Sequence, residues 1–111
     1  MHLKNFSLYS PNKGYHTLTP AYDMLSTALV MPEDTEELAL TLNGKKSKIR
    51  KKDFITTITS SSVEEKIIEN IFKKFIKAQQ NWSDFIKGSF LPDDMQKQYI
   101  SLINDKLSII V

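Results

Sequence analysis

Two periodicities divide this chain, an alternation of apolar and polar residues near its start and a helical spacing in its second half. The run Phe6-Ser7-Leu8-Tyr9 and the run Tyr15-His16-Thr17-Leu18 flank Ser10-Pro11-Asn12-Lys13-Gly14. Alternation on both sides of a Pro/Asn/Gly cluster predicts a hairpin with its turn over residues 10–14. A short helical turn is expected over 23–27, then an extended apolar stretch over 28–31 ended by Pro32. Residues 32–37 are acidic and read as a solvated loop. Leu38, Leu40 and Leu42 alternate with Ala39 and Thr41, which predicts a short strand before an Asn43-Gly44 turn.

From residue 53 the spacing becomes helical. A short helix is expected over 53–59, with Phe54, Ile55 and Ile58 on one face, interrupted by Ser60-Ser61-Ser62. Ser62-Val63-Glu64-Glu65 has the form of a capping box, in which a serine hydroxyl accepts an amide N–H and a glutamate reaches back. The helix it opens carries Ile67, Ile68, Ile71, Phe72, Phe75, Ile76, Trp82, Phe85 and Ile86, broken at residues 78–80, with lysines 66, 73, 74 and 77 opposite. Gly88 is expected to end it at positive φ. A last helix is expected from Pro92, where Asp93 and Asp94 complement the dipole, with an apolar stripe of Tyr99, Leu102, Ile103, Leu107 and Ile110. The pattern predicts a mainly α domain with a short N-terminal β-hairpin, two long antiparallel helices packing on the hairpin-bearing layer.

Composition adds bounds. A chain of 111 residues supports one domain, and 25% charged residues is the ordinary globular value. A net charge of +2 does not by itself argue for nucleic acid or membrane. There is no cysteine, which removes disulfides and thiolate metal sites. No secretory pattern opens the sequence, and no apolar run reaches the roughly 18 residues of a membrane span. A soluble, cytoplasmic protein is the expectation.

Candidate chemistry is concentrated before residue 24. His2, Lys4 and Asn5 lie within four positions, and Asp23 follows just past the second strand. An amide oxygen and a carboxylate are hard ligands that suit magnesium, which in phosphotransferases bridges nucleotide phosphates. Spacing alone leaves the alternative open, since Asn and Asp are ordinary turn residues.

The strings themselves are more specific. His2-Leu3-Lys4-Asn5-Phe6-Ser7-Leu8 and Leu18-Thr19-Pro20-Ala21-Tyr22-Asp23-Met24-Leu25-Ser26 resemble the C-terminal part of HipA-like serine/threonine kinases. Leu38-Ala39-Leu40-Thr41-Leu42-Asn43-Gly44-Lys45-Lys46 and Gly88-Ser89-Phe90-Leu91 look like the same family, which supplies the toxins of bacterial HipA/HipB-type toxin–antitoxin pairs. The resemblance implies the C-terminal helical lobe of a protein-kinase-like fold over residues 1–111. It matches His2 and Asn5 to a catalytic loop of the form Asp-x-His-x-x-Asn, and Lys4 to a basic residue near the transferred phosphate. Asn5 and Asp23 become the magnesium ligands, and Lys4, Asn5 and Asp23 the cofactor-binding set. Magnesium and ATP are thus expected cofactors by resemblance. The family's catalytic aspartate, two positions before the histidine, has no counterpart from Met1 onward. The nucleotide-anchoring lysine and the phosphate-covering loop also lack counterparts, and the sequence holds just three glycines, Gly14, Gly44 and Gly88. Partial magnesium-ATP binding without competence in this chain alone is the expectation.

Six of the eight residues over 45–52 are basic. A phosphate or operator-DNA contact is one reading, and a solvated loop facing the acidic stretch is the favoured one, since no aromatic residue is interleaved. His16 reads as a surface residue, Ser60-Ser61-Ser62 as cap and linker, and Phe72, Phe75, Trp82 and Phe85 as core rather than pocket. Three functions compete: a kinase fragment or subunit, a non-catalytic interaction module, and a decayed remnant. Expected partners are a HipB-like antitoxin, a separate N-terminal kinase chain or a second copy, and no membrane.

Overall fold

The computed structural model describes residues 3–111. After a 3-10 turn at Leu3–Asn5, strands β1 (Leu8–Asn12) and β2 (Tyr15–Leu18) form an antiparallel hairpin. Helices α1 (Thr27–Val30), α2 (Lys51–Ser60), α3 (Glu65–Ala78), α4 (Trp82–Lys87) and α5 (Asp93–Ser108) follow, with a 3-10 turn at Gln79–Asn81 between α3 and α4. The domain is therefore mainly α with an N-terminal hairpin, the class expected from the alternation and the helical spacing.

The hairpin turn is tighter than expected. Ser10, Pro11 and Asn12 continue β1, and Asn12 faces Tyr15 across a two-residue loop of Lys13 and Gly14. Gly14 at φ +85° sits where a type II turn demands positive φ, so glycine is needed there. The register shifts between Tyr9 and Asn12, and the Ser10 hydroxyl, 2.8 Å from Asn12 O and 2.9 Å from Tyr15 O, closes the irregularity. Pro11, lacking an N–H, is accommodated because the two-stranded sheet has no inner strand. Every residue of both strands is exposed, so the expected packing of the hairpin against the helices is absent.

Several local expectations need correction. Residues 27–30, expected partly extended, form α1, which opens after Ser26 and ends before Pro32. Residues 38–42 are not a strand, because no neighbour supplies a ladder. One isolated bridge joins Leu42 to Lys45, while the N–H groups of Glu37 and Leu38 donate to Lys46 O. The Asn43-Gly44 turn is present, with φ +50° and +73° at the two central positions, the type I′ requirement. Ser62 is itself left-handed (φ +63°) and caps nothing; α3 starts after Glu64, without a side-chain cap. Pro92 is the N-cap of α5 rather than its first helical residue. Gly88 lies at φ −84°, so it ends α4 without the left-handed conformation expected of it.

Among the described residues the buried apolar ones are Ile49, Ile68, Phe72, Ile86 and Leu107. Phe72 packs edge-on to Phe54 with ring centroids 6.2 Å apart, and Phe75 meets Trp82 at 6.4 Å. The expectation of core rather than pocket positions fails for Phe75, which is half exposed and lines an apolar cleft together with Phe72 and Trp82, and it fails for Phe85, which is 82% exposed beside buried Ile86. The 3-10 turn at Gln79–Asn81 explains the exposure of Phe85, since three residues of tighter winding rotate the following stripe by about 60°. The cleft, of about 630 Å³, is lined by residues including Leu25, Phe54, Phe72, Trp82 and Leu102. Among the described residues no helix is long and apolar enough to cross a membrane.

Candidate functional site

The hydrogen-bonded weave of the hairpin continues past its strands into the loop that carries Asn5 and Asp23. Thr19 N–H donates to Ser7 O at 2.9 Å, and Ser7 N–H to the Thr19 hydroxyl at 3.0 Å. The Ser7 and Tyr22 hydroxyls share a hydrogen bond of 2.6 Å, and Tyr22 N–H donates to Asn5 O at 3.0 Å. These bonds align the segment around Asn5 with the segment around Tyr22, although neither is strand.

Asn5 is buried, and its Nδ2 donates to Tyr22 O at 2.9 Å and to Asp23 O at 3.1 Å. Both acceptors are carbonyls, which fixes the NH2 end of the amide against the backbone. Asp23 adopts φ +53°, a left-handed conformation that aspartate tolerates better than most residues. The two predicted metal ligands are thus neighbours, with Asn5 gripping the backbone of Asp23. Lys4 is exposed on the 3-10 turn. His2 lies outside the described residues. His16 is exposed on β2.

An amide oxygen and a carboxylate fit magnesium by donor chemistry, though they make an incomplete ligand set. Among the described residues no three His, Cys, Asp or Glu side chains are grouped to hold a metal. Magnesium sites of this sparse kind lean on water and substrate phosphates.

Replacing Asn5 by alanine removes the bonds to Tyr22 O and Asp23 O and leaves two part-buried carbonyls short of a donor. The expected cost is about 2 kcal/mol, with amide exchange accelerated at Thr19 and Tyr22. Asn5→Asp, which presents oxygen to carbonyl oxygen, should cost at least as much. Unchanged exchange at these amides in Asn5→Ala would show that the side chain does not organise the loop.

A second polar centre escaped the sequence reading. Asp53, fully buried at 0% exposure, sits in the first turn of α2. Its carboxylate accepts from Lys45 Nζ at 2.8 and 3.0 Å, from Asn43 Nδ2 at 2.8 Å and from Arg50 N–H at 2.9 Å. The Lys45 ammonium, the Asn43 amide and the Arg50 N–H together hold this carboxyl far below the usual carboxylate range, against the opposing effect of burial. Nearby, Glu37 accepts from Lys106 Nζ at 2.6 Å and from Ile49 N–H at 3.1 Å. Desolvation pushes the Glu37 carboxyl up, but the Lys106 and Ile49 hydrogen bonds outweigh it and the net shift is downward. Lys46 pairs with Glu36 at 3.0 Å. The acidic stretch therefore faces part of the basic one. The signal that was available is an acid ending a basic run, with an asparagine ten positions before it.

These observations define the class to which the chain is similar. The family model of the HipA-like C-terminal domain matches residues 1–82, and the chain belongs to that family. The match includes the hairpin, Asn5, Asp23, the Asn43–Asp53 loop and α3; most of α4 and all of α5, with Gly88–Leu91, lie beyond it. A protein of Sinorhizobium fredii (strain NBRC 101917 / NGR234) named "Putative kinase Y4dM" is 35% identical over 69 residues. That alignment covers 61% of this chain and 17% of the relative, so the chain spans less than a fifth of the curated relative it matches.

Proposed function

We propose that this domain contributes the magnesium-holding part of a HipA-like serine/threonine kinase site, of the kind found in toxin–antitoxin pairs. Asn5 and Asp23 are the ligands in this reading, with Lys4 and His2 beside the transferred phosphate. The observation that supports it is the lock of the buried Asn5 amide on the Tyr22 and Asp23 carbonyls. It ties together two residues 18 positions apart, as a shared ion would require. Magnesium would supply charge neutralisation on nucleotide phosphates when bound; the chain's own residues orient the ligands.

The site is partial. Phosphoryl transfer rests on positioning and electrostatics, and these 111 residues hold no counterpart of the base, the nucleotide-anchoring lysine or the phosphate-covering loop. The purified chain should therefore give no ATP-dependent phosphorylation of itself or of added protein. Manganese titrated in the presence of ATP should broaden amide signals near Asn5 and Asp23, and much less without nucleotide. Turnover by the chain alone would overturn the partial-site reading. Broadening that avoids both residues would overturn the ligand assignment.

The exposed hairpin favours a second reading, an interaction module that docks an antitoxin, a kinase chain or a second copy. Leu8, Tyr9, Tyr15 and Leu18 are large apolar residues open to solvent on one two-stranded sheet. Light scattering that shows a monomer over a wide concentration range would remove self-association from this reading.

A further inference from the structure

Four basic residues that the kinase reading does not use, Lys48, Arg50, Lys51 and Lys52, line one cavity of about 490 Å³ at the start of α2. We infer that this cavity binds a compact oligophosphate group. The inference stands independently of the proposed magnesium site.

The loop is held by two carboxylates. Asp53 fixes Asn43, Lys45 and the Arg50 N–H, while Glu37 fixes the Ile49 N–H. Both carboxylates are consumed in anchoring backbone and lysine, so the loop is pinned from beneath. Lys45 and Lys46 are occupied by Asp53 and Glu36. Lys51 lies against the wall, its Nζ 3.3 Å from Val111 O and 5.7 Å from the Phe72 ring centroid. Among the described residues the side chains of Lys48, Arg50 and Lys52 have no acidic partner. The one carboxylate in the cavity wall, Glu37, is already paired with Lys106.

Cations that line a concavity without acidic partners attract anions, and the N-terminal end of the ten-residue α2 adds favourable dipole. Several cations in one place suit several phosphate charges better than one. The size argues for a compact group: a nucleic-acid backbone is tracked by an extended basic groove, whereas these cations border one cavity of about 490 Å³. Its wall holds no aromatic ring for stacking a base, since Ile49 and Ile109 are its apolar members. Phosphates are therefore read and the base is not.

The test is titration of the full chain with tripolyphosphate, ATP and a short DNA duplex, all in EDTA so that no metal-dependent binding contributes. Tripolyphosphate and ATP should bind alike, weaken with salt, and shift amide signals centred on residues 48–52 and 108–109. The triple variant Lys48→Gln, Arg50→Gln, Lys52→Gln should bind at least roughly tenfold more weakly. The same charge loss on α3, in Lys66→Gln, Lys73→Gln, Lys77→Gln, should change binding little. Equal weakening in both triple variants would reduce the effect to net charge and overturn the site. Binding of duplex without tripolyphosphate would assign the phosphate to a nucleic-acid backbone and overturn the compact ligand. No binding, or shifts centred elsewhere in the wild-type chain, would overturn it even where a variant fails to fold.

Discussion

Replacing Asp53 by alanine is expected to lower the melting temperature by roughly 10–20 °C, among the largest effects any single substitution should have on this domain. The carboxylate satisfies Lys45, Asn43 and the Arg50 N–H at once, and it is fully buried while Lys45 is 40% exposed. Removing the acid strands three donors. Removing the lysine strands one acid that keeps two hydrogen bonds, so Lys45→Ala should cost less. Asp53→Asn should fall between them, because an amide presents one acceptor oxygen where the carboxylate presents two.

The same knot sets an acid limit. The Asp53 carboxyl titrates lower in the folded chain than in the unfolded one, and that of Glu37 is shifted the same way. A depressed folded pKa contributes stability that is fully present above the unfolded value, about 4, and is lost as pH falls below it. Urea midpoints measured from pH 7 downward should hold steady and then drop below about pH 4. The drop should be blunted in Asp53→Asn, whose position no longer titrates. An Asp53→Ala protein that melts within a few degrees of wild type would show that the knot is dispensable.

The second large effect lies on α3, where two adjacent apolar stripes have opposite fates. Ile68 is 1% exposed and Phe72 is buried against Phe54, whereas Ile67 is 49% exposed. Phe72→Ala and Ile68→Ala should each cost about 3 kcal/mol, from lost transfer energy and from the cavity left behind. For Phe72 the value belongs toward the low end of its range, because the residue also borders the open apolar cleft. Ile67→Ala should change stability by about 0.5 kcal/mol or less. With five buried apolar residues in the described core, a loss of about 3 kcal/mol is a large share of the several kcal/mol that small domains have. Urea titration of the three variants measures this directly. Equal costs at Ile67 and Ile68 would mean that both stripes are covered in solution.

Helical period and turn chemistry were legible in the sequence because they are local. Apolar residues at i, i+3 and i+4 select a helix whatever they later pack against, which is why α2, α3 and α5 follow the pattern. Asn43-Gly44 and Lys13-Gly14 turn because glycine or asparagine occupies each left-handed position. Strand pairing is not local. The alternation of Leu38, Leu40 and Leu42 promised a strand, yet a strand needs a neighbour, and here one bridge is all that forms. Burial is equally non-local. Ile67 and Ile68 read alike in the sequence, and the elements packed on α3 separate them.

The polar motifs divide the same way. The strings around Asn5 and Asp23 carry the family, and with it an expected chemistry. The reach of Asn5 to the Tyr22 and Asp23 carbonyls depends on hairpin register, which a single bulge can shift and the strings do not encode. Asp53 was invisible as a centre, because its partners come from a turn ten residues back and a cap three residues back. The sequence by itself determined the helical class, the glycine turns and the family. Tertiary structure alone decided which apolar stripe is core, which carboxylate is buried, and which cations remain unpaired, because each depends on contacts between residues distant along the chain.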